Sequence, residues 1–124
     1  MTGSGSDWPR PVVHWELLAR DPQGLQAFYR ELFHWRLEDA GFLISVQPGL
    51  GGPEPGPAGH LMAAPPDGPT GFGLFVQVRS IPETLARVPE LGGTVAGQPF
   101  DVPGGPTICP ILDPEGNRLT LVQQ

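Results

Sequence analysis

The sequence predicts an α+β domain built from two copies of one unit: a strand, a helix and three more strands. Two amphipathic helical stretches predict it, each opened by an N-cap residue and each preceded by an apolar strand. Short β-favouring runs separated by turn residues then follow each helix. An offset of about 59 residues lays Asp21 on Ser80 and Leu32 on Leu91, a match of pattern with few identities, held to within one or two positions.

The chain is organised around residues 12–35. Val12, Val13, Trp15 and Leu17 are β-favouring or bulky apolar residues, while His14 and Glu16 alternate onto one face and point two titratable groups the same way. Asp21 is a suitable N-cap, Pro22 fits the first helical position, and Leu25, Phe28, Tyr29, Leu32 and Phe33 recur with helical spacing. Residues 35–40 and 42–47 read as two hairpin strands about Asp39-Ala40-Gly41. Fourteen of the twenty-four residues from 48 to 71 are glycine or proline, so that stretch reads as loop. Within it only 60–64 is apolar enough for a strand. The stretch is expected to be the most mobile internal segment and to gate any cavity beneath it.

The second unit runs through a strand at 72–78 and a helix at 80–91, opened by a capping box of Ser80 and Glu83 and stopped by Gly92-Gly93. Pro89 should kink that helix or end it early. Strands follow at 94–100, 107–112 and 119–122, with a strong turn signal at 113–117. The leader, residues 1–10, is polar and Gly/Ser/Pro-rich, although Trp8 could tuck against the body. Residues 11–124 form one domain, with module one at 11–65 and module two at 72–124.

Charge excludes several partners. Seven arginines and no lysine face thirteen acids, for a formal charge of −6, which argues against nucleic acid or an anionic membrane. No apolar run is long enough for a membrane span and no leader of the secretory kind opens the chain, so a cytoplasmic protein is expected. Cys109 stands alone, so it has no internal disulfide partner and reads as a buried packing thiol. His34, at the end of the first helix, reads as a cap, and Trp15 and Trp35 read as packing between sheet and helix.

Four segments resemble the vicinal oxygen chelate superfamily, which groups glyoxalase I, bleomycin-resistance proteins, fosfomycin-resistance enzymes and extradiol dioxygenases. They are His-Trp-Glu-Leu followed by Asp-Pro (14–22), Ala-Phe-Tyr-Arg-Glu-Leu-Phe-His-Trp (27–35), Ala-Arg-Val-Pro-Glu-Leu-Gly-Gly-Thr-Val (86–95) and Asp-Pro-Glu-Gly-Asn-Arg-Leu (113–119). The resemblance implies two βαβββ modules whose mixed sheets curl into a half-open barrel, the glyoxalase/bleomycin resistance/dioxygenase fold, commonly in a homodimer. It also implies a metal held by a His or Gln early in each module's first strand and a Glu on each module's last strand. His14 matches the first ligand. The second falls on Gly73 or its neighbour Leu74, the last-strand glutamate falls on Thr120, and its counterpart in module one falls near Met62. Three of these cannot serve a zinc or iron(II) site, so no metal cofactor is expected.

A non-standard metal site remains as an alternative, because His60 shares parity with Met62 and could join His14 and Glu16 in a two-histidine, one-carboxylate set. Adjacent same-face positions on one strand lie roughly 6.6 Å apart, which is awkward for joint ligation. The plainer reading makes His14 and Glu16 satisfied polar groups of the cavity and leaves His60 in solvent.

Three functions follow. The first is a metal-free binder of a small organic molecule, with His14, Glu16, His60, Met62, Phe75, Gln77 and Thr120 lining the cavity. The second is a small lyase or isomerase in which His14 and Glu16 form an acid/base pair, the carboxyl raised toward neutrality by burial, with dioxygenase-like activity left to the non-standard metal site. The third is a protein-interaction module with a solid barrel. Glu16, without a metal or lysine to compensate it, should disfavour anionic ligands and favour neutral or cationic ones.

Overall fold

The computed structural model describes residues 8–47 and 56–124. Module one comprises β1 (Val12–Ala19), α1 (Pro22–Phe33), β2 (Leu37–Asp39), β3 (Leu43–Val46) and β4 (Gly59–Ala63). Module two comprises β5 (Gly71–Gln77), α2 (Ile81–Glu90), β6 (Thr94–Val95), β7 (Phe100–Asp101), β8 (Thr107–Leu112) and β9 (Arg118–Gln123). The nine strands of the described residues belong to one sheet, ordered β2-β3-β4-β1-β5-β9-β8-β6, with β7 also paired to β8. The sheet does not close on itself, giving the half-open α+β barrel.

The order is nearly symmetric about its centre. There β1 and β5 run antiparallel, pairing His14 with Phe75 and Glu16 with Gly73. Each first strand has its module's last strand on its outer side, in parallel: Glu16 beside His60, and Phe75 beside Thr120. Alternation along these strands puts His14, Glu16, His60, Met62, Gly73, Phe75, Gln77, Arg118 and Thr120 on one face. Both helices pack on the other.

Local signals account for the helix ends. The Asp21 carboxylate accepts from Gly24 N at 3.1 Å, and His34 closes α1 in the left-handed conformation (φ 59°), its N–H donating to Arg30 O at 2.9 Å. Ser80 Oγ accepts from Glu83 N at 3.2 Å. Pro89 neither kinks α2 away nor ends it early. It stands one residue from the end, and the helix closes beyond it in a Schellman arrangement: Gly93 N donates to Val88 O at 2.9 Å, Gly92 N to Pro89 O at 3.2 Å, with Gly92 at φ 91°.

Each helix covers its own half-sheet. Ile81 and Val88 of α2 pack on Val78, Cys109, Ile111 and Leu121, and Cys109 is fully buried there, so desolvation raises its thiol pKa. Under α1 lie Leu17, Ile44, Val46 and Leu61, with Trp15, Leu25, Tyr29, Trp35 and Leu37 against them. Tyr29 stacks on Trp35 at a centroid distance of 4.8 Å, and Trp15 lies 5.3 Å from the same ring. Gly59 makes that packing possible, since a Cβ there would fall 2.1 Å from the Trp15 ring.

Several expectations are corrected. The helical spacing in α1 marks a face that is only partly buried: Phe28, Leu32 and Phe33 are each more than half exposed, while Leu25 and Tyr29 pack on the core. The strand expected at 94–100 is two short ones, broken where Gly97 approaches the Pro110 ring and where Pro99 has no N–H to offer the ladder. In the loop-rich stretch, residues 48–55 lie outside the described residues, as do 1–7 of the leader. Its later part is tied down: Arg20 Nη1 donates to the carbonyls of Pro65 (3.0 Å) and Pro66 (3.2 Å), and its Nη2 to Gly68 O. Trp8 sits beneath the Arg10 guanidinium, 4.4 Å from its ring centroid. Among the described residues no helix is long and apolar enough to cross a membrane.

Candidate functional site

Four side chains from three strands form one hydrogen-bonded chain across the concave face. Arg118 Nη1 donates to Glu16 Oε1 at 2.9 Å, His60 Nε2 meets Glu16 Oε2 at 3.2 Å, and His14 Nε2 meets His60 Nδ1 at 2.8 Å. All four are at least half-buried, and His60 is 8 % exposed, which overturns the expectation that it lies in solvent. Phe75 closes the histidine end, its ring 5.0 Å from that of His14 and 5.9 Å from that of His60.

The charge at the arginine end sets the direction of the chain. Burial alone would raise the Glu16 carboxyl pKa, but the hydrogen bonds and charges of His60 and Arg118 outweigh it and hold the carboxyl below its ordinary value. Glu16 is therefore an ionised acceptor, not the raised acid expected of a carboxylate in an apolar barrel. Nor is it uncompensated, because Arg118 is its counter-ion. A carboxylate can only accept, so His60 donates from Nε2 to Glu16, and its Nδ1 shares one hydrogen bond with His14 Nε2. Burial first, and repulsion from His60 second, lower the His14 pKa and keep it neutral. His14 Nδ1 has no hydrogen-bond partner among the described residues.

Beside this chain lies a cleft of about 610 Å³ that Glu16, Arg118 and Thr120 edge on the polar side. Leu18, Pro65, Phe72, Pro110 and Leu112 form its apolar walls. The Asp113 turn aims Arg118 into it. Asp113 Oδ1 accepts from the N–H groups of Glu115 and Asn117, both at 2.9 Å, and Gly116 takes the positive φ that reverses the chain just before β9. Arg118 Nη2 is also held by Gly71 O.

The structure thus brings together His14, Glu16, His60 and Phe75, and places Thr120 on the cleft. Met62 stands apart, beside Leu18 and Leu43 in the sheet and lining a smaller pocket of about 210 Å³ with Phe42. Gln77 shares the face but lines neither pocket. Met62 is also not the module-one counterpart of Thr120. With the helix caps fixing the offset at 59, Glu16 corresponds to Phe75, and their parallel partners are His60 and Thr120. The parallel register decides this, and the loop lengths hide it in the sequence. Arg118 was missed, although it lies in the quoted 113–119 segment and shares strand parity with Thr120. Its signal was the need of a half-buried Glu16 for a cation, in a chain whose only basic residues are arginines.

The metal implied by the resemblance does not fit these residues. Both ring nitrogens of His60 are engaged by protein groups, and Glu16 is held by His60 and Arg118. At Gly73, where the second module's first-strand ligand would stand, an added Cβ would lie 3.3 Å from Arg118 Nη1. A guanidinium therefore fills the space of a ligand side chain and sets a positive charge beside any cation placed there. Among the described residues no group of three or more His, Cys, Asp or Glu side chains is arranged to hold a metal ion.

Solved structures share the fold. A hypothetical protein from Bacillus halodurans superposes with a TM-score of 0.65 at 13 % identity, covering 94 % of this chain and 96 % of that one. A glyoxalase/bleomycin resistance protein/dioxygenase superfamily member from Vibrio splendidus gives 0.62 at 16 % identity, with 93 % and 98 % covered. Methylmalonyl-CoA epimerase from Mycobacterium tuberculosis gives 0.58 at 17 %, with 90 % and 86 % covered. No curated protein sequence matches this chain. The model of the glyoxalase-like domain family matches residues 13–122, from the first strand of module one to the last of module two. With both modules inside that match, the chain belongs to the glyoxalase-like domain family.

Proposed function

We propose that this protein binds a small organic molecule in the concave cleft without a metal ion. The observation that carries the reading is the Arg118 guanidinium, which stands in the space of the missing β5 ligand and is anchored on Glu16 at the cleft edge. A preformed cleft with apolar walls and a few converging polar groups is the usual form of a small-molecule site, and about 610 Å³ lies within the usual size range. Protein grown in metal-supplemented medium should contain no stoichiometric zinc, iron, manganese or nickel, and apolar fragments should shift backbone resonances of Leu18, Leu112 and Thr120. Near-unit metal occupancy that disappears in His14→Ala would overturn the reading.

A second reading is proton transfer, favoured by the free Nδ1 of His14. In that reading His14 is the base, His60 passes the charge toward Glu16, and Glu16 anchors the chain instead of acting as the acid. Loss of catalysed α-proton exchange from a bound carbonyl compound in His14→Ala, with binding retained, would support it. Exchange unchanged by that substitution would end it.

A further inference from the structure

We infer that the cleft selects a neutral carbonyl compound with an apolar body (an amide, lactam, ketone or ester), its oxygen docked on the free N–H groups of Arg118. The inference rests on the reading that the cleft binds a small organic molecule and specifies the class of that molecule.

The donor inventory is the first support. A guanidinium has five N–H groups in a fixed planar fork. One of those on Arg118 is given to Glu16 Oε1 at 2.9 Å and one to Gly71 O, and the other three have no partner among the described residues. The Arg118 side chain is 20 % exposed, so little bulk water reaches those groups, and a ligand acceptor satisfies donors that would otherwise be poorly hydrated. The Thr120 hydroxyl, on the same face of β9 and the same cleft, can add one more hydrogen bond.

Charge is the second support. Of the fifteen residues lining the cleft only Glu16 and Arg118 are charged, and they neutralise each other. A cationic ligand would have to compete for a carboxylate whose two oxygens are already taken, Oε1 by Arg118 and Oε2 by His60. This removes the cationic option that an uncompensated Glu16 would have allowed. An anionic ligand would crowd a second negative group onto the guanidinium that already serves Glu16, in a cleft walled by proline, leucine and phenylalanine. A neutral carbonyl oxygen brings an acceptor with no net charge to bury. Its apolar remainder lies along Leu18, Pro65, Pro110 and Leu112.

Three probes of one shape test this: benzamide, benzoate and benzylammonium, each titrated into the ¹⁵N-labelled full chain while the guanidinium N–H resonances of Arg118 and the Thr120 amide are followed. Benzamide should move both and bind about tenfold more tightly than either ion, the discrimination expected when a charge has no partner. Arg118→Lys, which keeps the charge and its pairing with Glu16 but loses the fork, should abolish the preference for benzamide. Equal binding of all three probes in the cleft, tighter binding of either ion, or a preference that survives Arg118→Lys would overturn the inference while leaving small-molecule binding intact. If none of the probes moves a cleft resonance, the underlying reading fails with it.

Discussion

Replacing Arg118 by methionine keeps much of the side-chain volume but strips Glu16 of its counter-ion. The Glu16 side chain is 16 % exposed and that of Arg118 20 %, so the carboxylate would keep only His60 as a partner, and Gly71 O would lose its donor. Removing one member of a fully buried pair costs about 3–5 kcal/mol, and the residual solvent contact here reduces that to about 2–3 kcal/mol. For a domain of this size each kcal/mol lowers Tm by about 4 °C, so Arg118→Met should melt about 8–12 °C lower. Adding Glu16→Gln to it should restore part of the loss, because the stranded charge is then gone, giving a coupling energy of about 1–2 kcal/mol. Urea unfolding followed by circular dichroism at pH 7 measures all four corners of the cycle. The deficit of Arg118→Met should also narrow at pH 4, as the unpaired carboxylate takes up a proton. A single-mutant loss within about 0.5 kcal/mol of zero, or additive single and double mutants, would refute the view that Arg118 and Glu16 form one unit.

Acid should destabilise the fold in two stages. The folded His14 pKa lies below its ordinary 6.5, so the unfolded chain binds the proton more readily and stability should fall as pH drops below about that value. The folded Glu16 pKa lies below its ordinary 4.5, so its contribution is present above that value and is lost as pH falls through the folded pKa. His14→Gln should remove the first stage and leave the second, and an unchanged urea midpoint between pH 7 and 5 in the wild type would contradict the assignment. Gly59→Ala places a Cβ 2.1 Å from the Trp15 ring and should cost about 2–3 kcal/mol while altering the near-ultraviolet signal of the Trp15–Trp35 pair, whereas a neutral effect would mean that the ring moves freely. Phe28, Leu32 and Phe33 leave an apolar face on α1, so we expect a homodimer with a mass by light scattering near 26 kDa, twice the 13.2 kDa chain. A monomer that persists across salt and micromolar concentration would count against that assembly.

The order of elements was legible in the chain because its signals are local. Asp21-Pro22, Ser80 with Glu83, and Gly92-Gly93 act through backbone groups within a turn of themselves, and each does in the structure what its chemistry dictates. Alternation along β1 was likewise enough to put His14 and Glu16 on one face, because pleating is a property of the strand itself. What α1 buries was not legible, since spacing marks an apolar stripe but cannot say how much of it a half-sheet covers. The partners of His14 and Glu16 were not legible either. They come from β4 and β9, 44 and 102 residues from Glu16, and their place depends on parallel registers set after long connections. One residue of register separates the 44-residue step from Glu16 to His60 and the 45-residue step from Phe75 to Thr120, and that residue moves the counterpart of Thr120 from Leu61, where an offset of 59 would put it, to His60. Residue types alone left Glu16 an uncompensated carboxylate. Only tertiary structure brought Arg118 to it, because an ion pair is decided by distance in space, and sequence separation carries no information about that distance.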